Sequence, residues 1–89
     1  MKIYYTNQFK RDYKRIKKQN KDIGKLRLVI EKLFNHEPLD PSYKDHSLYG
    51  KWINYRDCHI EPDWLLIYKL DEDVLVLVRT GSHSEIFKK

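Results

Sequence analysis

Three of the four histidines in this chain lie in or beside segments that also contain aspartate and arginine. His, Asp and Arg are the residue types that transfer protons and stabilise charge on a phosphodiester near neutral pH. The candidates for such chemistry are His46, His59, Asp63, Arg79 and His83. If the fold brings these side chains together, they could form a single acid–base site.

Several of these residues also have an ordinary structural explanation. A strand histidine such as His59 is more often packed against its neighbours than catalytic. Asp63 follows a proline in a predicted turn, where aspartate is common. Arg79 lies late in an apolar strand, and a buried ion pair with Asp57 or Glu31 would explain it. Residue type alone therefore does not establish a site.

Of the other histidines and the cysteine, His46 and His83 are candidates for the site, whereas His36 and Cys58 are not. His46 lies in a predicted loop where packing does not require it, and His83 follows a strand end, where catalytic side chains often occur. His36 has no comparable neighbours and is predicted to be a surface residue, and Cys58 is predicted to be a small buried hydrophobic residue. The three candidate histidines and Asp63 could bind a transition metal, but their spacing matches no common ligand pattern.

The composition predicts one small globular domain over residues 1–89. The chain is 40% hydrophobic and 35% charged, which allows a modest core, and its single cysteine excludes an intrachain disulfide. The first eight residues turn polar too early for a signal peptide. The longest strongly apolar run, 74–78, is far shorter than the roughly 20 residues that span a bilayer. We expect a cytoplasmic protein without membrane contact.

Positive charge is concentrated in the first half of the chain. Residues 1–44 hold 12 Lys and Arg against 5 Asp and Glu, whereas residues 45–89 hold 6 against 8. A basic half favours a polyanion partner, because each cation that neutralises a phosphate releases counterions. A solvated helix face or an acidic protein partner would explain the same charge. Charge alone does not choose among these alternatives.

Hydrophobic spacing predicts two helices after a short first strand at residues 2–5. Thr6 or Asn7 can cap the first helix, and Asp22 the second. In the first helix, apolar residues at i, i+4, i+7 spacing would face the core of the domain. Its other positions carry basic residues predicted to be exposed, which are the candidates for contacting a polyanion such as RNA: Lys10, Arg11, Lys14, Lys17 and Lys18. A turn at residues 19–21 makes the pair an αα-hairpin.

After a loop at residues 35–49, three strands are predicted at residues 52–60, 64–70 and 74–80. Alternation on the first of these places Cys58 and Ile60 on the core face, and Asp57 and His59 on the other. The last strand is apolar enough for a central position covered on much of both faces. The order βααβββ predicts an α+β domain, with the helix hairpin packed on a mostly antiparallel four-stranded sheet and a short, helical tail after Gly81.

Four ordered strings resemble the YafQ branch of the RelE/ParE superfamily of type II toxin–antitoxin toxins. They are YKDHSL at 43–48, GxW at 50–52, YRDCHIEPDWLLIYK at 55–69 and RxGSHSEIF at 79–87. The resemblance covers the whole chain, is sharp over residues 43–87 and is weak in the basic helices. Ser47 stands where the family commonly has proline, which could loosen the loop around His46.

The resemblance implies an mRNA interferase that enters the ribosomal 30S A site and cuts messenger RNA without metal or cofactor. It also implies a cognate acidic antitoxin, of the DinJ or RelB type. Matched by motif, the acid–base residues are His46, His59, Asp63 and His83, the transition-state stabiliser is Arg79, and the aromatic residues that support the site or the RNA are Trp64 and Phe87. Lys44, in the first of these strings, is a further candidate for RNA binding.

RNA cleavage without metal needs a base for the 2′-OH proton, an acid for the 5′-oxygen and a cation for the phosphorane-like charge. Our hypothesis assigns His83 as the general acid and either Asp63 or His46 as the general base. The two histidines could also exchange these roles. His59 would position the phosphate. The competing hypothesis is a non-catalytic RNA- or protein-binding module. Gyrase inhibition, as in the ParE branch, ranks lower because it leaves the histidines without a role.

Overall fold

Two helices pack against one face of a five-stranded sheet in the computed structural model, which describes residues 1–87. The elements are β1 (Lys2–Tyr5), α1 (Asn7–Lys18), α2 (Ile23–Phe34), β2 (His46–Ser47), β3 (Arg56–Glu61), β4 (Trp64–Asp71), β5 (Val74–Gly81) and α3 (His83–Phe87). Short 3₁₀ turns occupy Pro41–Tyr43 and Gly50–Trp52. Over the described residues, no helix has the length and apolar character needed to cross a membrane.

The sheet has one more strand than the four that we predicted. Its order is β1-β5-β4-β3-β2, with β1 parallel to β5 and every other pair antiparallel. The additional strand, β2, has only two residues and lies in the predicted loop, where it pairs His46 with Asp57 and Ser47 with Arg56. Two residues are too few to produce a detectable period, so only the tertiary pairing defines this strand.

One other detail of the predicted sheet was wrong. The strand predicted from residue 52 begins at Arg56, because residues 50–52 form a 3₁₀ turn that Gly50 enters with a φ of +65°. The interior position predicted for the last strand is confirmed, since β5 lies between β1 and β4 and all of its residues are buried or half-buried. The middle strand is β4, and its first five residues are all buried.

The helix hairpin forms as its capping residues and apolar spacing predict. The Thr6 side chain accepts a hydrogen bond from the Phe9 backbone N–H at the start of α1, and Asp22 accepts one from Gly24 at the start of α2. Such caps satisfy backbone donors that the helix itself leaves free. The buried apolar residues of the two helices are Phe9, Ile16, Leu26, Val29 and Leu33.

The sheet buries apolar residues on both of its faces. The helix face carries the main core, which includes Cys58, Ile60 and Leu66, so the predicted core side of β3 is confirmed. On the opposite face, Leu65 and Ile67 pack with Ile86 of α3. Alternation along β4 produces this division. The second, smaller cluster fixes the position of the helix that begins at His83.

Candidate active site

Three histidines from three different elements meet at one end of the sheet. His46 comes from β2, His59 from β3 and His83 from the first position of α3. The ring centroids of His46 and His59 are 6.4 Å apart, and those of His59 and His83 are 5.5 Å apart. His59 lies between the other two, and it is the least exposed of the three. The chain segments that carry these rings are separated by 13 and 24 residues.

His83 is held by Asp63. Its Nδ1 donates to Oδ1 of Asp63 at 2.6 Å, and its backbone N–H donates to the same oxygen at 3.0 Å. The backbone bond and then the ring bond hold the pKa of Asp63 below its usual value, so this carboxylate is ionised at neutral pH. An ionised carboxylate can only accept, which places the ring proton on Nδ1. Nε2 of His83 is therefore the nitrogen left for proton transfer.

The His46 ring is fixed in a complementary way. Its Nδ1 lies 2.6 Å from the carbonyl oxygen of Lys44, a residue in the left-handed region with a φ of +51°. Because a carbonyl oxygen can only accept, Nδ1 carries the proton and Nε2 of the neutral ring is free to accept one. The site thus contains two imidazoles, each with Nδ1 engaged and Nε2 available. Such a pair can supply an acid and a base.

Asp57 lies beneath His46 and His59, although the sequence suggested it only as a partner of Arg79. Its Oδ2 is 4.0 Å from His46 Nε2, and its Oδ1 is 3.8 Å from His59 Nε2. The alternation of β3, which places Asp57 on the face of His59, was the signal available in the sequence. Burial raises the pKa of Asp57, while the charges of the histidines oppose that rise. Burial also lowers the pKa of His59.

Arg79 is ion-paired with neither Asp57 nor Glu31, the two partners that we considered. Its Nε donates to Oδ2 of Asp12 at 2.8 Å, and its Nη2 donates to Oδ1 at 3.2 Å. Asp12 lies on the inner side of α1 and is fully buried. Burial alone would raise its pKa, but hydrogen bonds led by that of Arg79 lower it. The guanidinium is thus bound to α1 rather than to the three histidines.

The two aromatic candidates have different environments. Trp64 is fully buried, and its Nε1 donates to Oγ1 of Thr80 at 2.9 Å, so it can support the site only from within and cannot stack on RNA. Phe87 is half-buried at the end of α3, with its ring centroid 5.9 Å from that of Trp52 and 6.5 Å from that of His83. Phe87 therefore flanks the histidine cluster.

Two concave surfaces adjoin the basic residues. A cleft of about 580 Å³ lies beside His59 and is lined in part by Tyr43, Lys44 and Lys25. A larger groove of about 810 Å³ lies between β1, α1 and α2, away from the histidines. Its apolar lining includes Ile3, Phe9, Ile30 and Phe34, and its charged lining includes Lys10, Lys14 and Arg27.

The basic residues predicted on α1 face outward. All five are exposed, while Asp12 and Ile16 on the same helix are buried: Lys10, Arg11, Lys14, Lys17 and Lys18. His36, which we treated as a surface residue, is exposed as well. Burial raises the pKa of the Cys58 thiol, which leaves that residue unsuited to nucleophilic chemistry.

The described residues contain no set of side chains arranged to bind a metal ion. Within residues 1–87, no group of three or more His, Cys, Asp or Glu side chains is arranged to hold a metal ion. The shortest contacts of the cluster are hydrogen bonds to Asp63 and to the Lys44 carbonyl. Two of the three imidazoles are thus held through Nδ1.

Known proteins resemble this chain over almost its full length. The family model described as the bacterial toxin of a type II toxin–antitoxin system, YafQ, matches residues 1–88. The mRNA interferase toxin YafQ of Escherichia coli K12 is 46% identical over 86 residues, covering 96% of this chain and 94% of that protein.

Two solved structures show the same fold. The E. coli DinJ–YafQ complex contains a chain that matches with a TM-score of 0.90 at 46% identity, covering 96% of both chains. A metal-bound toxin from Helicobacter pylori matches with a TM-score of 0.92 at 42% identity, covering 98% of this chain and 99% of that one. The α+β architecture is therefore shared with proteins of this size and sequence.

Proposed function

We propose that this chain, which belongs to the YafQ family of bacterial type II toxin–antitoxin toxins, is an mRNA interferase that cuts translated messages in the ribosomal A site. The observation that carries the proposal is the pair of imidazoles with Nδ1 engaged and Nε2 free, His46 and His83. Attack by a neighbouring 2′-OH needs one proton acceptor and one proton donor, and no metal. This requirement makes RNA, not DNA, the substrate.

His46 is the better candidate for the general base. Asp63 was the alternative, but its carboxylate already holds His83, and the hydrogen bonds from His83 lower the pKa of Asp63. A carboxylate with a lowered pKa is a weak base. In the proposed step, Nε2 of His46 takes the 2′-OH proton and Nε2 of His83 protonates the 5′-oxygen. Each transfer contributes about 10²–10⁴-fold to the rate.

His59 and Arg79 would stabilise the phosphate. His59 lies between the two proton-transfer rings, which suits contact with a non-bridging oxygen. Arg79 uses Nε and one hydrogen of Nη2 for Asp12, and the remaining N–H groups of its fork are free to meet an anion. Lys44, in the cleft beside His59, would contact the RNA backbone.

The exposed basic face of α1 would contact ribosomal RNA. Its five cations lie on the side of α1 that does not pack on the sheet. Phosphate contacts from such a face supply affinity without reading sequence. The same helix contributes Lys10 and Lys14 to the apolar groove.

An acidic amphipathic helix of a DinJ-type antitoxin would occupy that groove. The apolar lining suits the apolar side of a helix, and Lys10, Lys14 and Arg27 complement acidic residues beside it. Bound there, the antitoxin would cover part of the face that we assign to ribosomal RNA. Reversing two charges, with Lys14→Glu and Arg27→Glu together, should weaken the affinity for E. coli DinJ measured by calorimetry; unchanged affinity would exclude this groove.

Cleavage of a translated message on purified ribosomes tests the enzymatic proposal. The wild-type protein should cut the message in the A site, equally with and without EDTA, and His83→Ala should remove cutting while leaving the circular dichroism spectrum unchanged. A wild-type protein that leaves the message intact would contradict the proposal. Growth arrest that persists in a His46, His59 and His83 triple-alanine variant would instead favour a non-catalytic binding module.

A further inference from the structure

A buried carboxylate that the proposed proton transfers do not use lies beneath the histidine cluster. Asp57 is only 3% exposed, and its Oδ1 is buried without a hydrogen-bond partner in residues 1–87. Removing a carboxylate from water is costly, so buried carboxylates are normally hydrogen-bonded or paired. An unsatisfied oxygen at this position therefore lowers the stability of the folded protein without an evident structural benefit.

The two oxygens of Asp57 approach the reactive nitrogens of the two histidines above it. Oδ2 is 4.0 Å from His46 Nε2, and Oδ1 is 3.8 Å from His59 Nε2. These distances are too long for hydrogen bonds but short enough for strong charge attraction in a partly buried site. The pairing of β2 with β3, which sets His46 opposite Asp57, creates this geometry.

We propose that Asp57 is a positioning residue, whose carboxylate orients Nε2 of His46 and His59 and balances the charge that His46 gains as it takes the 2′-OH proton. This inference rests on the proposed function, because it assigns Asp57 a task in that reaction. The 2′-oxygen forms a bond to phosphorus, the bond from phosphorus to the 5′-oxygen breaks, and His83 protonates the leaving oxygen. His46 ends with protons on both nitrogens, and its positive charge then faces the negative charge of the Asp57 carboxylate.

The charges that surround Asp57 agree with this role. His46 from β2, His59 on β3 and His83 from α3 lower its pKa, whereas burial and the nearby Asp45 raise it, and the net direction is upward. A raised native pKa gives stability at acid pH that is lost as the pH rises through it. The ionised carboxylate is thus a stability cost at neutral pH. A purely structural carboxylate would have the opposite effect.

Asp57→Asn tests the proposal, because asparagine has nearly the same shape without the charge. We expect the unfolding temperature to stay equal or rise at neutral pH, and ribosomal cleavage to fall about tenfold or more. Asp57 is the neighbour that raises the pKa of His59 against the effect of burial. Without that charge, the His59 ring should titrate at lower pH than in the wild type.

Asp71→Asn is the matched control, since Asp71 is exposed at the end of β4 and, within residues 1–87, pairs only with Lys69, at 3.9 Å. It should change none of these quantities. In Asp57→Asn, a wild-type cleavage rate with an unmoved His59 titration would overturn the proposal. A clear loss of stability with unchanged histidine titrations would overturn it as well, by making the role structural.

Titration by NMR separates this inference from the proposed function. In Asp57→Asn the ring signals of His59 should titrate at lower pH than in the wild type, whether or not the protein cleaves RNA. In the wild type, the carboxyl carbon of Asp57 should itself show an inflection where that ring titrates. If neither effect occurs, the inference fails. If both occur but the wild type does not cleave messages, the proposed function fails while the charge coupling stands.

Discussion

Asp63 and His83 make the shortest side-chain contact between ionisable groups in the site, at 2.6 Å. The contact has two consequences for the chemistry. It fixes the ring proton on Nδ1, and it places a negative charge beside the imidazole that we assign as the acid. Because both partners are more than half exposed, at 51% and 68% of their side-chain surfaces, water screens this charge. The effect of the carboxylate should therefore appear in catalysis more than in stability.

Asp63→Asn should reduce ribosomal cleavage by about 10²-fold. Without the carboxylate, the ring proton of His83 is no longer fixed on Nδ1, so Nε2 is no longer kept free for the proton transfer. The measurement is single-turnover cleavage of a programmed message. Asp71→Asn, a substitution of an exposed aspartate at the end of β4, supplies the control. A variant that cleaves at the wild-type rate would show that Asp63 does not contribute to the action of His83.

Helix α1 has an outer basic face and an inner side that carries the buried Asp12. We propose different tasks for these two sides, since the outer one is placed to bind a polyanion and the inner one contacts the end of β5. Mutations on the outer face should therefore change binding without changing stability. This separation makes the helix a convenient place to test ribosome recognition apart from catalysis.

Replacing Lys10, Lys14 and Lys17 with glutamine should weaken ribosome binding and flatten its salt dependence, by a slope change of about one for each phosphate that is no longer neutralised. The affinity is measured at several salt concentrations. Lys2→Gln, on the exposed edge strand β1, controls for the removal of positive charge elsewhere. A triple variant with the wild-type salt slope would rule out this face as the surface that binds the ribosome.

The junction of β5 and α3 depends on Gly81. Its φ of +153° is rarely adopted by other residues, and a β-carbon there would lie 2.5 Å from Arg15 Nη2 and 2.9 Å from Glu85 Oε1. The absence of a side chain lets α3 turn back beside α1. Glu85 forms an ion pair with Arg15, 3.1 Å from its Nε, so the position of His83 is connected to α1.

Gly81→Ala should destabilise the fold by about 1–3 kcal/mol and reduce cleavage further than the decrease in folded protein explains, because the ion pair of Arg15 with Glu85 that holds α3 must shift. Denaturant unfolding and cleavage rates give the two quantities. Gly50→Ala separates the effect of backbone strain from that of steric overlap by the added β-carbon. Gly50 also has a positive φ, of +65°, but nothing lies within 4 Å of its β-carbon position. Equal effects of the two substitutions on cleavage would contradict the proposed collision.

At the scale of the whole molecule, Asp12 joins α1 to the end of β5. It accepts hydrogen bonds from Arg79, from Arg15 at 2.9 Å and from the backbone N–H of Thr80 at 3.1 Å. Thr80 in turn receives the Trp64 indole hydrogen bond and donates to the carbonyl of Leu65. One buried carboxylate thus fixes the strand end from which His83 departs.

Asp12→Asn should lower the free energy of unfolding by about 3 kcal/mol at neutral pH, because two guanidinium groups lose their buried partner. The native pKa of Asp12 lies below its ordinary value of 3.8. Its stabilising contribution is therefore present above that value and is lost as the pH falls through the native pKa. The difference between wild type and variant, measured by denaturant unfolding, should close in acid; a difference independent of pH would contradict this explanation.

The sequence by itself determined the two helices, their capping residues, the three long strands and the set of residues that could do chemistry. These features depend on near neighbours: periodic apolar residues, caps at fixed offsets and ordered strings around the histidines. It could not show β2, whose two residues carry no period, or the salt bridge of Arg79 with Asp12, whose partners are 67 residues apart.

Tertiary structure alone decided which ring nitrogens are free and which carboxylate is buried. His46, His59 and His83 meet only because β2 pairs with β3 and α3 turns back at Gly81. Asp57 differs from the exposed Asp63 only in its surroundings, which remove water from one carboxylate and leave it around the other. Since solvation and long-range pairing arise when distant segments pack, the local sequence predicted candidate residues for the site but neither their arrangement nor their protonation states.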